Sequence, residues 1–569
     1  MEKRIAYCTT LIAIALICVI TFGALFLTRN AGKDQKTISK ETAQTDLSKM
    51  VKNINPTTAE PISAPIDFED TLSLDKELPD INTCKLWTDT TNPNADIQVE
   101  IFSSPEKAGD NNDYWLIDMA NSFNKTNPKI NGKSASVQIR TVNSGQALDY
   151  IVSEKAIPQG WTPSASLWAA MAKSNNVNLE TISEKLVGNT IGIVLKNETQ
   201  EKLKKDYGQI DWKTVTDAVE AKEIAFGYTN PNASTGGLNG IITTLQRYDS
   251  SNLFSETATN SFAKFQKNIP LVSLTTMEMK KAAERGTLDG FIMEYQSYVN
   301  MPDLKSKYTF TPYGYRHDNP LYACPNTTEE EKEILKQFAQ FCNTDVAQKR
   351  AIEYGFNGHA DYTYEYPVPS GETLLQAQAL YKENKNAGKT PACVFVLDNS
   401  GSMYNDGKIQ KLQESLLNSM QYLPKDSYIG IVSFNDDVTI DLPIAAFDMD
   451  QQCLFKGAVE NLNPVGGTAA LDGICVAADM LRTLQENTNE TLKPMIFLLS
   501  DGQITTGYGL NDIRPILESL RFSVHTIGYG EDYDQGTLEN ISAIGEASTT
   551  NASTEDVIYK MKTLFNNEL

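Results

Sequence analysis

Histidine is scarce in this 569-residue sequence, and the common catalytic motifs are absent from it. It has three histidines, His317, His359 and His525, none of them beside a nucleophile pattern. No GxSxG, Walker, HExxH or kinase motif occurs. His525 lies in FSVHTIGYG, an apolar segment typical of a core strand. We therefore expect a protein that is not an enzyme.

Basic residues are also few, with 50 Lys and Arg against 72 Asp and Glu. The chain has no general positive field to attract a phosphate backbone, which argues against nucleic acid as a partner. Its eight cysteines show no CxxC or Cys/His spacing, which argues against a zinc site. Cys324 and Cys342 could form a disulfide in an oxidising compartment.

One long apolar run is present, at residues 5–27, and it contains no charged residue. It is long enough to cross a bilayer as a helix. A cleaved signal peptide would have a shorter apolar region of about 7 to 15 residues and a small-residue cleavage site, and no Ala-x-Ala occurs here. We predict an uncleaved single-pass anchor within residues 1–29. Basic residues on both flanks leave its orientation open.

Composition divides the remaining chain into two polar segments and two globular ones. Residues 30–95 are rich in Thr, Ser, Pro, Asp and Lys, which predicts a disordered stalk or linker. Residues 366–390 are predicted to be a second linker. In 96–365 and 391–569, strand-like and helix-like segments alternate, which is typical of α/β folds with largely parallel sheets. The 96–365 segment contains two such runs and predicts two lobes.

Three loops of the last segment carry oxygen donors. The first, DNSGS, offers Asp398, Ser400 and Ser402 after an apolar strand; PVGGT offers Thr468 and LLSDG offers Asp501. In an open parallel sheet such loops meet beyond the carboxyl ends of the strands. Hard oxygen ligands in this number suit Mg²⁺, with Mn²⁺ or Ca²⁺ as alternatives. Two carboxylates only balance a divalent ion, so a partner's Asp or Glu could complete the site.

With these five residues in this order, residues 390–569 resemble the von Willebrand factor type A (VWA) family. The resemblance implies a doubly wound, Rossmann-like fold and a metal-ion-dependent adhesion site at Asp398, Ser400, Ser402, Thr468 and Asp501. It does not identify the partner, because the family serves adhesion, complex assembly and chelatase functions.

The middle segment is similar to bacterial extracellular solute-binding proteins of the two-lobed, periplasmic type II class. AIPQGWTPSASLWAAM, AFGYTNPNASTGGL and FAQFCNTDVAQKRAIEYGF carry the likeness. The resemblance implies a hinge site where hydroxyls at helix starts hold a small solute or oxyanion, with the candidates Ser103, Ser104, Ser144, Ser234 and Thr235. Two alternatives stay open: a stacking pocket formed by Trp161, Trp168 and Tyr295, or a module that survives only as a spacer.

Together these features predict a membrane-anchored bacterial surface protein with the bulk of its chain outside the cell. In the leading interpretation, the VWA domain binds a protein partner through Mg²⁺. In the alternative, the two-lobed module is primary, as a solute sensor or transport-associated binding protein, and the VWA domain mediates assembly.

Overall fold

The computed structural model describes residues 38–66, 73–90, 92, 94–273, 275–530, 533–545, 547–552 and 556–569. The predicted anchor at 1–29 lies outside these residues. Across the described ranges, no helix combines the length and the apolar character needed to cross a membrane.

Eighteen strands are described, and they form three sheets. In chain order they are β1 (Thr57–Thr58), β2 (Ile97–Ser103), β3 (Lys129–Ile130), β4 (Lys133–Thr141), β5 (Gly160–Thr162), β6 (Glu180–Ser183), β7 (Ile191–Lys196), β8 (Phe226–Thr229), β9 (Leu271–Ser273), β10 (Gly290–Glu294), β11 (Tyr308–Pro312), β12 (Leu321–Ala323), β13 (Thr390–Asp398), β14 (Tyr428–Phe434), β15 (Val438–Ala446), β16 (Leu492–Ser500), β17 (Ser523–Tyr529) and β18 (Thr549–Ala552).

Helices connect and cover these strands. They are α1 (Lys40–Ile54), α2 (Leu74–Glu77), α3 (Trp115–Lys125), α4 (Ser144–Val152), α5 (Ser166–Ser174), α6 (Asn197–Tyr207), α7 (Trp212–Glu220), α8 (Thr235–Tyr248), α9 (Glu256–Lys267), α10 (Thr276–Glu284), α11 (Tyr295–Val299), α12 (Pro302–Lys307), α13 (Glu329–Cys342), α14 (Asp345–Glu353), α15 (Gly371–Asn384), α16 (Lys408–Ser419), α17 (Met449–Glu460), α18 (Ala470–Asn487), α19 (Leu510–Leu520), α20 (Gln535–Ser542) and α21 (Val557–Glu568).

The middle module has two lobes, as predicted. The first lobe contains a mixed sheet in the order β3-β4-β2-β5-β12-β6, and the second a sheet in the order β11-β7-β10-β8-β9. The chain passes from the first lobe to the second after β6 and returns before β12. An antiparallel bridge between Asn189 and His317 joins the two crossing segments. The lobes are thus connected by two adjacent chain segments.

The last module is built on a seven-stranded sheet in the order β1-β15-β14-β13-β16-β17-β18. Its strands pair in parallel except for β15, which is antiparallel to β14. Side chains of β13 alternate between two cores: Val394 and Val396 pack with α18 and α19, whereas Phe395 and Leu397 pack with α16 and α21. The sheet is therefore covered on both faces, which explains its continuous apolar strands.

The structure differs from the predicted stalk at 30–95. Residues 40–54 form α1, whose Ala43, Leu47 and Met50 are buried against α18 and α19 of the last module. After it, β1 pairs in parallel with β15, so that β15 is not an edge strand. Although the segment is polar on average, it contains a stripe of apolar residues at helical spacing. The helix gains stability because this stripe packs on another module.

The predicted linker at 366–390 also differs from the structure. Most of it forms α15, which packs against α5 and α8 of the two-lobed module. Its Leu374, Ala377 and Tyr381 are fully or almost fully buried in that module's core. The segment is therefore part of the module.

The cysteines within the described residues are free thiols, including Cys324 and Cys342. Both are buried, and burial raises the pKa of each thiol well above its ordinary value. They behave as small apolar core residues.

Candidate functional site

The strongest candidate site lies at the carboxyl edge of the seven-stranded sheet. Asp398 ends β13, the central strand, and is paired in register with Phe434 at the end of β14. Asp501 directly follows β16, the neighbour of β13 on the other side. The parallel sheet therefore places the two carboxylates at one edge.

The first loop folds back on Asp398. The Ser400 amide donates to Asp398 Oδ1 at 2.9 Å, and the Ser400 and Ser402 hydroxyls lie 3.0 Å apart. Asp398 is fully buried, Ser400 almost so, and Ser402 half-buried. The alternating DxSxS spacing thus directs two hydroxyls toward one point.

Two backbone hydrogen bonds join this loop to the loop that carries Thr468. The Gly401 amide donates to the Gly466 carbonyl at 3.0 Å, and the Val465 amide donates to the Asn399 carbonyl at 2.9 Å. Gly466 has a φ of +74°, a conformation that favours glycine, and a side chain there would displace the exposed Asp436 carboxylate.

The Thr468 loop is joined in turn to the loop after β16. The Thr468 amide donates to Thr505 Oγ1 at 2.9 Å, and the Thr505 amide donates to the Thr468 carbonyl at 3.0 Å. Thr468 is buried just before α18 begins. All three donor loops therefore contact one another.

Two residues that the sequence reasoning missed complete the surroundings. Ser500 donates from its hydroxyl to Asp398 Oδ2 at 2.5 Å, and Lys408 Nζ lies 3.1 Å from Asp501 Oδ2. Ser500 stands directly before Asp501 in LLSDG, so its position was a usable signal. No comparable signal in the sequence points to Lys408, because its side-chain direction depends on the turn at Gly401–Gly407.

Burial dominates the electrostatics of this site. It raises the pKa of Asp398 above its ordinary value, and the negative charge of Asp501 acts in the same direction. Hydrogen bonds from Ser400 and Ser500 oppose that rise. A nearby cation would favour the charged carboxylate.

The donor set fits a small hard cation. Asp501 Oδ1 is buried and lacks a hydrogen-bond partner, which is costly unless a ligand satisfies it. Among the described residues, no three His, Cys, Asp or Glu side chains converge as metal ligands. A cation here would depend on the serine and threonine hydroxyls as much as on the two carboxylates.

The five solute candidates of the middle module fall into separate groups. Ser144 in the first lobe and Thr235 in the second both reach the Ser164 hydroxyl, at 3.3 and 2.5 Å. Thr235 also accepts from Trp168 Nε1 at 2.7 Å. These two candidates lie at a contact between the lobes.

The other three candidates are engaged elsewhere. Ser103 donates to the Ser104 carbonyl at 3.1 Å, and Ser104 contacts Glu106 and the buried Lys107 ammonium. Ser234 accepts from Thr229 at 2.8 Å. Among the five, only Ser144 and Thr235 reach a common side chain, that of Ser164.

The aromatic alternative is not supported as a stacking pocket. Trp161 and Trp168 are buried in the core. Tyr295 packs against Tyr298, Phe310 and His359. His525 is buried as predicted, with Nδ1 3.1 Å from the Ser548 hydroxyl.

Two family models match separate parts of the chain. Residues 393–567 match the von Willebrand factor type A domain. Residues 108–357 match bacterial extracellular solute-binding proteins.

Individual relatives are distant. The chain is 26% identical over 253 residues to the uncharacterized protein YfbK of Escherichia coli, covering 42% of this chain and 41% of that protein. It is 26% identical over 197 residues to the uncharacterized protein sll0103 of Synechocystis, covering 33% and 44%. The chain thus spans less than half the length of these curated relatives.

Among solved structures, a periplasmic thiamin-binding protein has a TM-score of 0.38 and 14% identity, over 51% of this chain and 96% of that one.

The two family matches occupy the two α/β modules seen in the fold. The chain therefore combines a bacterial extracellular solute-binding-protein module with a C-terminal von Willebrand factor type A domain.

Proposed function

We propose that the VWA domain binds a divalent cation, Mg²⁺ in preference to Mn²⁺ or Ca²⁺, and through it a carboxylate of a protein partner. Asp398, Ser400, Ser402, Thr468 and Asp501 would hold the ion. When bound, the ion supplies a positive charge that accepts an additional oxygen ligand. The protein's role is binding, without catalysis.

The observation that carries this proposal is the unpaired, buried Asp501 Oδ1 at the sheet edge that also carries Asp398. The loop after Asp398 adds a pair of hydroxyls 3.0 Å apart. A buried carboxylate oxygen without a partner destabilises the fold by about 1–3 kcal/mol, more when charged. A cation at this point would remove that cost. The residues present therefore suit the ion by chemistry as well as by position.

The surroundings of the site also suit a protein partner. Tyr404 and Val465 are 72% and 52% exposed, and both lie in the loops that carry the donors. Exposed aromatic and aliphatic side chains beside a charged centre are typical of protein interfaces. A partner would cover these side chains as its carboxylate reaches the ion.

Full-length protein immobilised on beads tests this function on cell-envelope extracts. We expect a protein to be retained in Mg²⁺ and released by EDTA, and we expect Ser402→Ala to abolish its retention. Ser250→Ala, an exposed serine in the other module, is the control and should retain it. Retention that ignores both EDTA and the Ser402 substitution would contradict the proposal.

We propose as a second function that a small polar solute binds between the lobes of the other module. Thr162 and Asn230 stand at the carboxyl ends of β5 and β8, and Asn189 lies at the crossing. Thr162 Oγ1 and the side-chain Nδ2 atoms of Asn189 and Asn230 are buried without hydrogen-bond partners. A thermal-shift screen over oxyanions, amino acids and sugars tests this, and no shift with any of them favours the spacer role.

For the whole protein we propose a cell-surface position, with residues 1–29 as a single-pass membrane anchor. Only the uncharged run at 5–27 supports this. Protease treatment of intact cells should degrade both modules. Protection of both modules from the protease would contradict it.

A further inference from the structure

Lys408 contacts the candidate metal site through Asp501, one of the five proposed cation ligands. It is the first residue of α16, and its side chain is only 13% exposed. Its ammonium lies 3.1 Å from Asp501 Oδ2, and the Asp501 side chain is 5% exposed. This is a buried ion pair on one of the five proposed cation ligands.

The turn before α16 positions the Lys408 side chain next to Asp501. The turn that follows Ser400 ends with Asp406 at φ +54° and Gly407 at φ +68°, and α16 begins at the next residue. The Lys408 stem then passes Gly530, where an added Cβ would lie 2.9 Å from Lys408 Cε. The loop that carries the serine pair therefore also supplies the lysine, and Gly530 leaves space for it.

The two oxygens of Asp501 have different surroundings. Oδ2 faces the ammonium, whereas Oδ1 is buried and unpaired. The lysine therefore satisfies one side of the carboxylate and leaves the other available. This division would let a cation approach Oδ1 while Lys408 stays on Oδ2.

We propose that the positive charge of Lys408 weakens the binding of a cation at this site and strengthens the binding of an anionic ligand. The inference rests on the proposed function, in which Asp398 and Asp501 hold a divalent ion. Two carboxylates balance that ion, so the lysine leaves the loaded site with a net charge of about +1. Repulsion between like charges a few ångströms apart in a partly buried site opposes cation binding, although screening weakens it.

Without the ion, the same lysine has a stabilising role. It neutralises one of two buried carboxylates that would otherwise repel each other. The ion pair would thus keep the site ordered in the absence of a cation. Lys408 acts through Asp501 and is a positioning residue.

Calorimetric titration of full-length protein with Mg²⁺ tests the first half of the inference. We expect Lys408→Met to bind Mg²⁺ at least about tenfold more tightly than the natural protein, because one repulsive charge is gone. Lys408→Arg keeps the charge and should stay near the natural affinity. Lys411→Met, on the exposed side of the same helix, is the matched control and should change nothing.

The outcomes separate this inference from the proposed function. Tight Mg²⁺ binding by the natural protein, with Lys408→Met unchanged or weaker, overturns the inference alone. No binding by any variant overturns both. If Lys408→Met lowers the unfolding temperature sharply, Lys408→Gln offers a second neutral replacement under the same expectation.

Acetate titration of the Mn²⁺-loaded protein tests the second half. Acetate that replaces a bound water lowers the water-proton relaxation enhancement of Mn²⁺. We expect acetate to bind Lys408→Met at least about threefold more weakly, because the net positive charge is lost. Equal acetate affinity in both proteins would overturn the anion half of the inference.

Discussion

Tyr559 Oη donates a hydrogen bond to Asp149 Oδ2 at 2.9 Å and so joins α21 of the VWA domain to α4 of the solute-binding module. Beside it, Lys562 Nζ lies 2.7 Å from Glu77 Oε2, and Tyr422 also donates to Glu77. Burial raises the pKa of Asp149, although Lys562 and Tyr559 oppose the rise. The two modules thus share a partly buried polar contact.

Tyr559→Phe should destabilise the protein by about 1–3 kcal/mol, because it leaves the half-buried Asp149 carboxylate without this donor. Tyr428→Phe is the matched control, since Tyr428 also bonds a carboxylate, that of Glu490, at 2.9 Å but in an exposed position. We expect calorimetry to show a lower unfolding temperature for the first variant only. Equal unfolding temperatures for both variants would show that the contact contributes nothing.

The N-terminal helix should behave as part of the VWA domain. Leu47→Ala removes a side chain that is 1% exposed and should cost about 2–4 kcal/mol of unfolding free energy. Lys49→Ala, at a side chain 69% exposed on the same helix, should cost less than about 0.5 kcal/mol. Denaturant unfolding monitored on the VWA domain measures both. A Leu47→Ala protein as stable as Lys49→Ala would contradict the packing of α1.

Glu294 should make stability depend on pH. Its side chain lies near Glu106, Asp113 and His317 at the crossing between the lobes, and burial first, then the two acidic neighbours, raise its pKa to about 7. A raised pKa means that the folded protein holds a proton that the unfolded chain has released. This contribution is complete below the ordinary value of 4.5 and is lost as the pH rises through about 7.

Glu294→Gln removes that contribution, so the variant should gain stability relative to the natural protein as the pH rises from about 4.5 to 7. The gain should stay below about 3 kcal/mol, because the side chain keeps 17% exposure. His317, whose pKa burial lowers to about 4, opposes the trend below pH 6.5. Unfolding temperatures measured across this range test the difference, and a constant difference would contradict it.

Much of the architecture could be predicted because its signal is local. The run before Asp398 is continuously apolar, which is typical of a strand covered on both faces, and β13 is the central strand. The sequence likewise predicted that the loop with Ser400 and Ser402 lies beyond the carboxyl end of this strand. Their hydroxyls are 3.0 Å apart.

What could not be predicted depends on contacts between distant segments. Residues 40–54 are mostly polar, and only packing on α18 and α19 shows why Leu47 and Met50 matter. Lys408 is one lysine among many in the sequence. Its contact with Asp501 exists because a tight turn and Gly530 direct its stem inward.

The most direct test of the central claim is calorimetric titration of the full-length protein with Mg²⁺, compared with Asp398→Ala and with Ser402→Ala. Because Ser402 is half-buried, its substitution can test the site even if loss of the buried Asp398 impairs folding. We expect one Mg²⁺ per chain for the natural protein, and no detectable binding at the same site in either variant. Natural protein that binds no Mg²⁺, or variants that bind it equally well, would contradict the account.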